Sequence, residues 1–402
     1  MNIAMFSNLF APVVSGSSTQ SAALSRELAR LGHKPFVVTA RVEKNSPAYE
    51  EIDGVPIYRI PAVRLPRLPI SMNFPWLNCT FTLSNLGRIR EIFYRHRPEV
   101  IHLHNHMFDL GFSAVLMKRR HEIPMVITLH TMIRHSRGIY NMILYPADRV
   151  FLRHAIVKRA EMLICPDVNM EKYAKEAFTE SRRVLVPYGV SMPEGPDDGA
   201  LQDLRNRYQL EGKRVILSLG HVIELRDRRE VISALPSILR VIPNVSVLIV
   251  GAESTDKPRR LAKQLGVEHA VIFAGPVPHR QVKNYLALAD LEMHFFHQDA
   301  REHTSLGIAS LEAMAAGKAI LAWANVNTYG QGMLRDGSNI VFVNPNEPTR
   351  LAETVIDLLL DYQKRIEIGE RASQTIQEHF SWESVCSKTV EVYRKVLQRS
   401  VA

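Results

Sequence analysis

Along almost its whole length the chain alternates short apolar, β-branched runs with longer amphipathic stretches. That rhythm is the signature of a parallel sheet whose strands are joined by crossover helices. In the first half it predicts strands at 3–6, 35–39, 100–103, 125–129 and 162–165. The second half repeats it at 214–219, 245–250, 270–273, 291–295, 319–323 and 340–343, with amphipathic helices over stretches such as 231–241 and 281–289. The fold class is therefore α/β, with two doubly wound parallel-sheet units in tandem. Pro, Gly and Asp concentrate at 191–201 (SMPEGPDDGAL), so the linker is placed there and the domains are expected at 1–190 and 191–381.

The chain has 402 residues, of which 46% are hydrophobic and 23% charged, values that exclude disorder and fibrous folds and leave room for two full cores. Three widely spaced cysteines, Cys79, Cys165 and Cys386, form neither a disulfide framework nor a zinc cluster. The opening MNIAMFSNLF lacks the basic and long apolar regions of a signal peptide, and no run approaches a membrane span. A cytoplasmic location is expected. The formal charge of +9 is uneven: residues 1–190 carry 25 Lys/Arg against 15 Asp/Glu, and the remainder is nearly balanced. The first half is expected to face something anionic, whether phospholipid, nucleic acid or a phosphorylated substrate, unless it is simply a soluble basic surface. The segment 61–76, rich in Pro with Arg64, Arg67, Phe74 and Trp76, reads either as a bilayer-interface contact or as an ordered loop.

Chemistry is expected at the carboxyl ends of the strands, where doubly wound sheets hold their ligands. Gly16 and Ser17 lie in the turn after the first strand, where small residues let helix N-terminal N–H groups approach an anion. His102, His104 and His106 alternate at the end of the 100–103 strand, and alternation places all three on one face. Their spacing suits a polar substrate cleft better than a tetrahedral zinc site. His130 ends the neighbouring strand in TLHTM, so imidazoles from two strand ends converge. In the second half Gly220 permits a sharp turn into His221, and Arg226 and Arg228 are expected to project beside a helix N-terminus as phosphate ligands. Thr304, Ser305, Leu306 and Gly307 open a helix carrying Glu312, a carboxylate on an apolar helix that must meet either a ligand hydroxyl or a protein donor.

These residues, above all TLHT and SLEAMAAGKAILA, give the chain a likeness that spans nearly its whole length: it resembles the retaining glycosyltransferases of family 4, which have the GT-B fold. The resemblance implies a first, acceptor-binding domain, a second domain for the nucleotide-sugar donor, and a last helix, 382–402, that crosses back to the first. It implies that Gly16 faces the donor diphosphate, that His130 bonds a donor-sugar hydroxyl, that Arg226 stands for the family's phosphate-binding Lys, and that Glu312 binds ribose. His130, Arg226 and Glu312 are thus the implied catalytic set, and Gly16, Ser17, Gly220, His221, Arg228 and 304–307 complete the implied donor site. His104 and His106 are the acceptor-side candidates. No cofactor or metal is implied beyond the nucleotide-sugar co-substrate, which is expected to be UDP-linked.

Two positions depart from the family pattern. Thr304 stands where a second Glu usually begins the helix, and His221 stands where an Arg usually follows the glycine. The stretch 101–140 is similar to the glycolipid-forming members, so the expected acceptor is a lipid or lipid-linked hydroxyl at an anionic membrane surface, with 61–76 and 135–159 as contacts. A soluble or polysaccharide acceptor and a silent scaffold are the alternatives. A nucleic-acid partner is not expected, because no basic helix or stacking-aromatic motif supports one.

Overall fold

A computed structural model describes every residue except 14, 44, 67–69, 71–76, 136, 225, 294, 296–305, 331 and 402. The chain divides into two compact units, Met1–Gly189 with Trp382–Ala402, and Val190–Ser381.

The first unit contains strands β1 (Asn2–Ser7), β2 (Lys34–Arg41), β3 (Tyr49–Ile52), β4 (Val55–Pro61), β5 (Val63–Leu65), β6 (Leu77–Cys79), β7 (Val100–His104), β8 (Met125–Thr128), β9 (Met162–Cys165) and β10 (Arg183–Leu185). Eight of them form one sheet in the order β10-β9-β8-β7-β1-β2-β4-β3. All neighbours are parallel except β3 and β4, and β5 pairs with β6 separately. The register sets Ser7 opposite His104, and His104 opposite Thr128. Three polar residues therefore stand side by side at the carboxyl edge.

One face of this sheet packs Phe6, Phe36, Leu103 and Ile127 against Phe93 and Phe178. The other packs Ile3, Met5 and Val37 against Leu28 and, from the terminal helix Trp382–Val401, Tyr393 and Val396. Burial on both faces is why these strands read as continuous apolar runs. The terminal helix enters on a close contact: a Cβ on Gly189 would lie 2.4 Å from Cε3 of Trp382.

The second unit contributes β11 (Arg214–Leu219), β12 (Val245–Val250), β13 (Val271–Gly275), β14 (Leu291–Met293), β15 (Ala319–Ala322) and β16 (Val341–Phe342). All are parallel, in the order β13-β12-β11-β14-β15-β16. Crossover helices such as Arg229–Val241 and Pro348–Leu360 cover one face, and Val282–Leu288 and Ile308–Ala315 the other.

The expected strands are all present, most of them displaced by a residue or two at their ends. The sequence reading missed β3, β4, β5, β6 and β10. β3 (YEEI) is half polar with two exposed residues, β4 carries Pro56 and Pro61, and β5, β6 and β10 have three residues each, so none offers a clean apolar run. Of the segment 61–76, residues 67–69 and 71–76 lie outside the described residues.

Candidate active site

In the first unit the histidines form a stack rather than a row. His102 and His104 stack with ring centroids 4.3 Å apart, and His104 stacks on His130 at 5.2 Å. Nδ1 of His104 lies 2.9 Å from Nε2 of His130, and Nδ1 of His130 lies 3.0 Å from the Tyr188 hydroxyl. His102 is tied at both nitrogens, to the Tyr393 hydroxyl at 2.6 Å and to Oγ1 of Thr128 at 2.7 Å. Burial holds all three imidazoles neutral: it pushes His102 and His130 down to about 3, and His104 well below its ordinary value.

His106 leaves this group, and the expectation of a common face is corrected. Asn105 adopts a left-handed conformation at φ +74°, which ends the strand alternation. His106 is turned into the core, where Nε2 meets Oδ1 of Asp148 at 2.9 Å and the ring packs edge-on to Phe178. Tyr173 donates to the same carboxylate at 2.6 Å. His104 and His106 are both fully enclosed, at 3% and 0% exposure. Asp148 belongs to a π-helical turn, Ala147–Leu152, that continues the helix Gly138–Pro146. One extra residue per turn rolls Asp148 inward while its neighbours Val150 and Phe151 stay exposed.

Gly16 and Ser17 open the helix Gly16–Arg30, which begins on a reciprocal cap: Ser15 accepts from the Ser18 amide, and the Ser15 amide donates to Oγ of Ser18 at 2.7 Å. A Cβ on Gly16 would meet nothing within 4 Å, so the helix start borders open space. Arg59, buried and ion-paired with Glu50, braces the preceding loop by donating to the Ala11 carbonyl at 2.6 Å. No local sequence signal links Arg59 to that loop.

In the second unit β11 runs into Gly220 at φ +118°, and the neighbouring strand ends at Gly251, where a Cβ would lie 2.2 Å from the Gly220 oxygen. The two glycines let adjacent strand ends touch. His221 is exposed, bonds Oγ of Ser254 at 2.8 Å, and is held below its ordinary pKa first by desolvation and then by Arg226 and Arg228. Arg226 is partly buried, and desolvation lowers its pKa. Arg228 does not project beside the helix N-terminus as expected. At 1% exposure it turns back to donate to the carbonyls of Arg226 at 2.6 Å and Gly220 at 2.7 Å. It is the loop's internal brace.

Glu312 lies on the helix Ile308–Ala315, which Gly307 caps and Gly317, at φ +69°, terminates. Leu306 packs on the core of its unit, while Thr304 and Ser305 lie outside the described residues. The protein donor that meets Glu312 is His279, with Nε2 2.8 Å from Oε1. This bond raises the His279 pKa. A pair 33 residues apart leaves no trace in local periodicity, so the sequence reading missed His279, as it did Tyr188 and Tyr393.

Two Rossmann-like units in tandem, each with polar groups at the carboxyl ends of its strands, have the GT-B fold. The chain matches the Glycosyl transferase 4-like domain over residues 15–189 and Glycosyl transferases group 1 over residues 202–375, and it belongs to glycosyltransferase family 4. It is 23% identical to the alpha-monoglucosyldiacylglycerol synthase of Streptococcus pneumoniae, over 81% of this chain and 71% of that one. It is 26% identical to the D-inositol 3-phosphate glycosyltransferase of Kineococcus radiotolerans, over 94% of this chain and 90% of that one. The fold is shared with an Anabaena protein solved in complex with UDP, with a TM-score of 0.70, 14% identity, and coverage of 98% of this chain and 100% of that one.

Proposed function

We propose that this glycosyltransferase moves a hexose from a nucleotide-diphosphate sugar, UDP-linked, to a hydroxyl of a lipid or lipid-linked acceptor at a membrane surface, with retention of configuration and without a metal ion. The observation that carries the acceptor assignment is an apolar surface on the basic first unit. Ile139, Met142, Ile143, Val150 and Phe151 are 59–76% exposed at helical spacing. Phe151, Phe112 and Phe81 continue the surface as rings at 5.8 Å spacings, and Leu83 stands 89% exposed. Arg134, Arg137 and Arg159 are exposed on the same segment. Apolar anchors flanked by arginines suit a peripheral position on anionic lipid, where each basic residue contributes about 1 kcal/mol. No helix among the described residues is long and apolar enough to cross a membrane. The relative named for monoglucosyldiacylglycerol synthesis supports this class of acceptor.

In this reading the first unit takes the acceptor and the second the donor. Arg226 and the backbone around Gly220 meet the diphosphate in the second unit, and the family resemblance assigns the helix start at Gly16 and Ser17 to the donor as well. Glu312 exchanges His279 for the ribose hydroxyls, and His130 accepts from a hydroxyl of the sugar. The acceptor oxygen attacks the anomeric carbon from the face that the diphosphate leaves. The bond from C1 to the phosphate oxygen breaks, and the departing phosphate takes the acceptor proton. Catalysis then rests on placing the two reactants and neutralising the leaving group. His221 is neutral near pH 7, so that neutralisation falls on Arg226 and backbone N–H groups.

The deciding experiment follows nucleotide release from UDP- and GDP-sugars offered singly, with and without mixed bacterial lipids. Release from one UDP-sugar that depends on lipid supports the reading. Release that depends only on a soluble polyol or glycan moves the acceptor off the membrane, and nucleotide binding without transfer to any acceptor points to a scaffold.

A further inference from the structure

We propose that His104 is a positioning residue: its Nδ1–H donates to Nε2 of His130 and fixes His130 in the tautomer whose proton sits on Nδ1, where Tyr188 accepts it.

Each of the three stacked imidazoles is neutral, held so by burial, and a neutral imidazole carries one N–H and one lone pair. Nε2 of His104 is buried and has no hydrogen-bond partner among the described residues. If that nitrogen carried the proton, an unmatched donor would be shut in the interior at a cost of roughly 1–3 kcal/mol. A bare lone pair is the cheaper orphan, because buried acceptors go unpaired more readily than buried N–H groups. The His104 proton therefore sits on Nδ1, 2.9 Å from Nε2 of His130.

The consequence passes along the stack. Nε2 of His130 must accept, so its own proton lies on Nδ1, 3.0 Å from the Tyr188 oxygen. The rings are near-parallel, at 20° between His104 and His130 and 6° between His130 and Tyr188. One nitrogen with no partner thus sets the polarity of a chain of three groups. The functional consequence rests on the sugar-site reading of His130: a ligand reaching Nε2 shares a nitrogen that His104 keeps as an acceptor, so it has to be a donor, as a hydroxyl is. A group that can only accept is excluded there.

The test reads the tautomer directly. In the full chain labelled with ¹⁵N-histidine, two-bond ¹H–¹⁵N correlations near neutral pH are expected to show a pyrrole-like Nδ1 and a pyridine-like Nε2 at His130. The reverse pattern in the wild type overturns the proposal without any variant. His104→Phe keeps a ring in the stack and deletes the donor, so His130 is expected to become a tautomer mixture. His104→Asn offers an amide nitrogen near the Nδ1 position and is expected to restore the single form. A single unchanged tautomer in His104→Phe also overturns the proposal. The spectrum needs no substrate, so a failed donor screen would leave this assignment standing, and a failed tautomer assignment would leave the transferase reading standing. Once a donor is identified, His104→Phe should lower kcat by about 10- to 100-fold, by analogy with the loss of the outer-shell groups that fix the tautomer of metal-ligating histidines, and His104→Asn should recover most of it.

Discussion

His279 places Nε2 2.8 Å from Oε1 of Glu312, so the carboxylate that the family resemblance assigns to ribose is held by an imidazole from the turn before the helix Val282–Leu288. His279 is 82% exposed at its side chain and Glu312 20%, so the pair is easily exchanged for a ligand.

Donor binding should therefore depend on pH. The bond to Glu312 raises the His279 pKa, which makes the pair strongest when the imidazole is protonated and lets it fade as pH rises through that raised value. A ribose that displaces His279 must compete with the protonated form, so donor affinity should weaken as pH falls from 8 to 6. His279→Ala should flatten this profile and tighten nucleotide binding by about two- to fivefold, the scale of an exposed ion pair. Calorimetric titration of UDP at several pH values measures both. Weaker binding by the variant would make His279 a ligand of the donor instead.

Arg228 and Arg226 should separate stability from binding. Arg228→Met strips the carbonyls of Gly220 and Arg226 of a charged donor in a buried place. A loss of about 2–4 kcal/mol in unfolding free energy is expected from urea titration. Arg226→Ala should have a smaller effect on unfolding but lower nucleotide-diphosphate affinity by about tenfold or more. Equal effects of both variants on unfolding would contradict the division of roles.

Much of this architecture was legible because its cause is local. A parallel strand buried on both faces announces itself as an apolar run, and Gly220, Gly307 and Gly317 mark the turns that deliver Arg226 and Glu312 to their positions. The register that sets His104 beside Thr128 follows once the strands are placed. What stayed hidden depends on distant partners. Asn105 is one of the few residue types that adopt a left-handed backbone readily, yet nothing beside it in the sequence says that it does so here, and that turn sends His106 away from His104. Arg228 looks like a phosphate ligand in sequence, yet two carbonyls within its own loop claim it. His130 meets Tyr188 across 58 residues, and His102 meets Tyr393 across 291. No pattern along the chain encodes such pairs.

The apolar stripe predicts a membrane phenotype without a folding defect. Ile143 and Phe151 are 63% and 60% exposed, so Ile143→Asp and Phe151→Asp should leave thermal unfolding nearly unchanged. Losing the insertion of one such side chain, worth about 1.5–3 kcal/mol, should weaken partition onto vesicles containing anionic lipid by about 10- to 100-fold. Raised salt should weaken wild-type binding further, because the basic half contributes by charge. Vesicle binding that ignores both substitutions and salt would remove the membrane from the proposed function.

The buried imidazoles should also make the first unit sensitive to mild acid. His102 and His130 are held near 3 in the folded chain, whereas the unfolded value is about 6.5. Between these limits the unfolded chain binds protons that the folded rings refuse, so unfolding free energy falls as pH is lowered. The contribution is fully present above pH 6.5 and is lost at up to about 1.4 kcal/mol per pH unit for each histidine. From pH 7 to pH 5 the pair should cost the unit about 4 kcal/mol, before most exposed carboxylates titrate. The readout is Trp382, which packs on Gly189 in the first unit; replacing Trp76 and Trp323 with Phe leaves it as the lone tryptophan. His102→Gln, which still offers an acceptor and a donor toward Tyr393 and Thr128, should remove about a third of the loss, because burial holds His104 down as well. A urea midpoint that stays level between pH 7 and pH 5 would mean that the stacked rings take up protons without unfolding, and the neutral stack at the carboxyl edge would have to be abandoned.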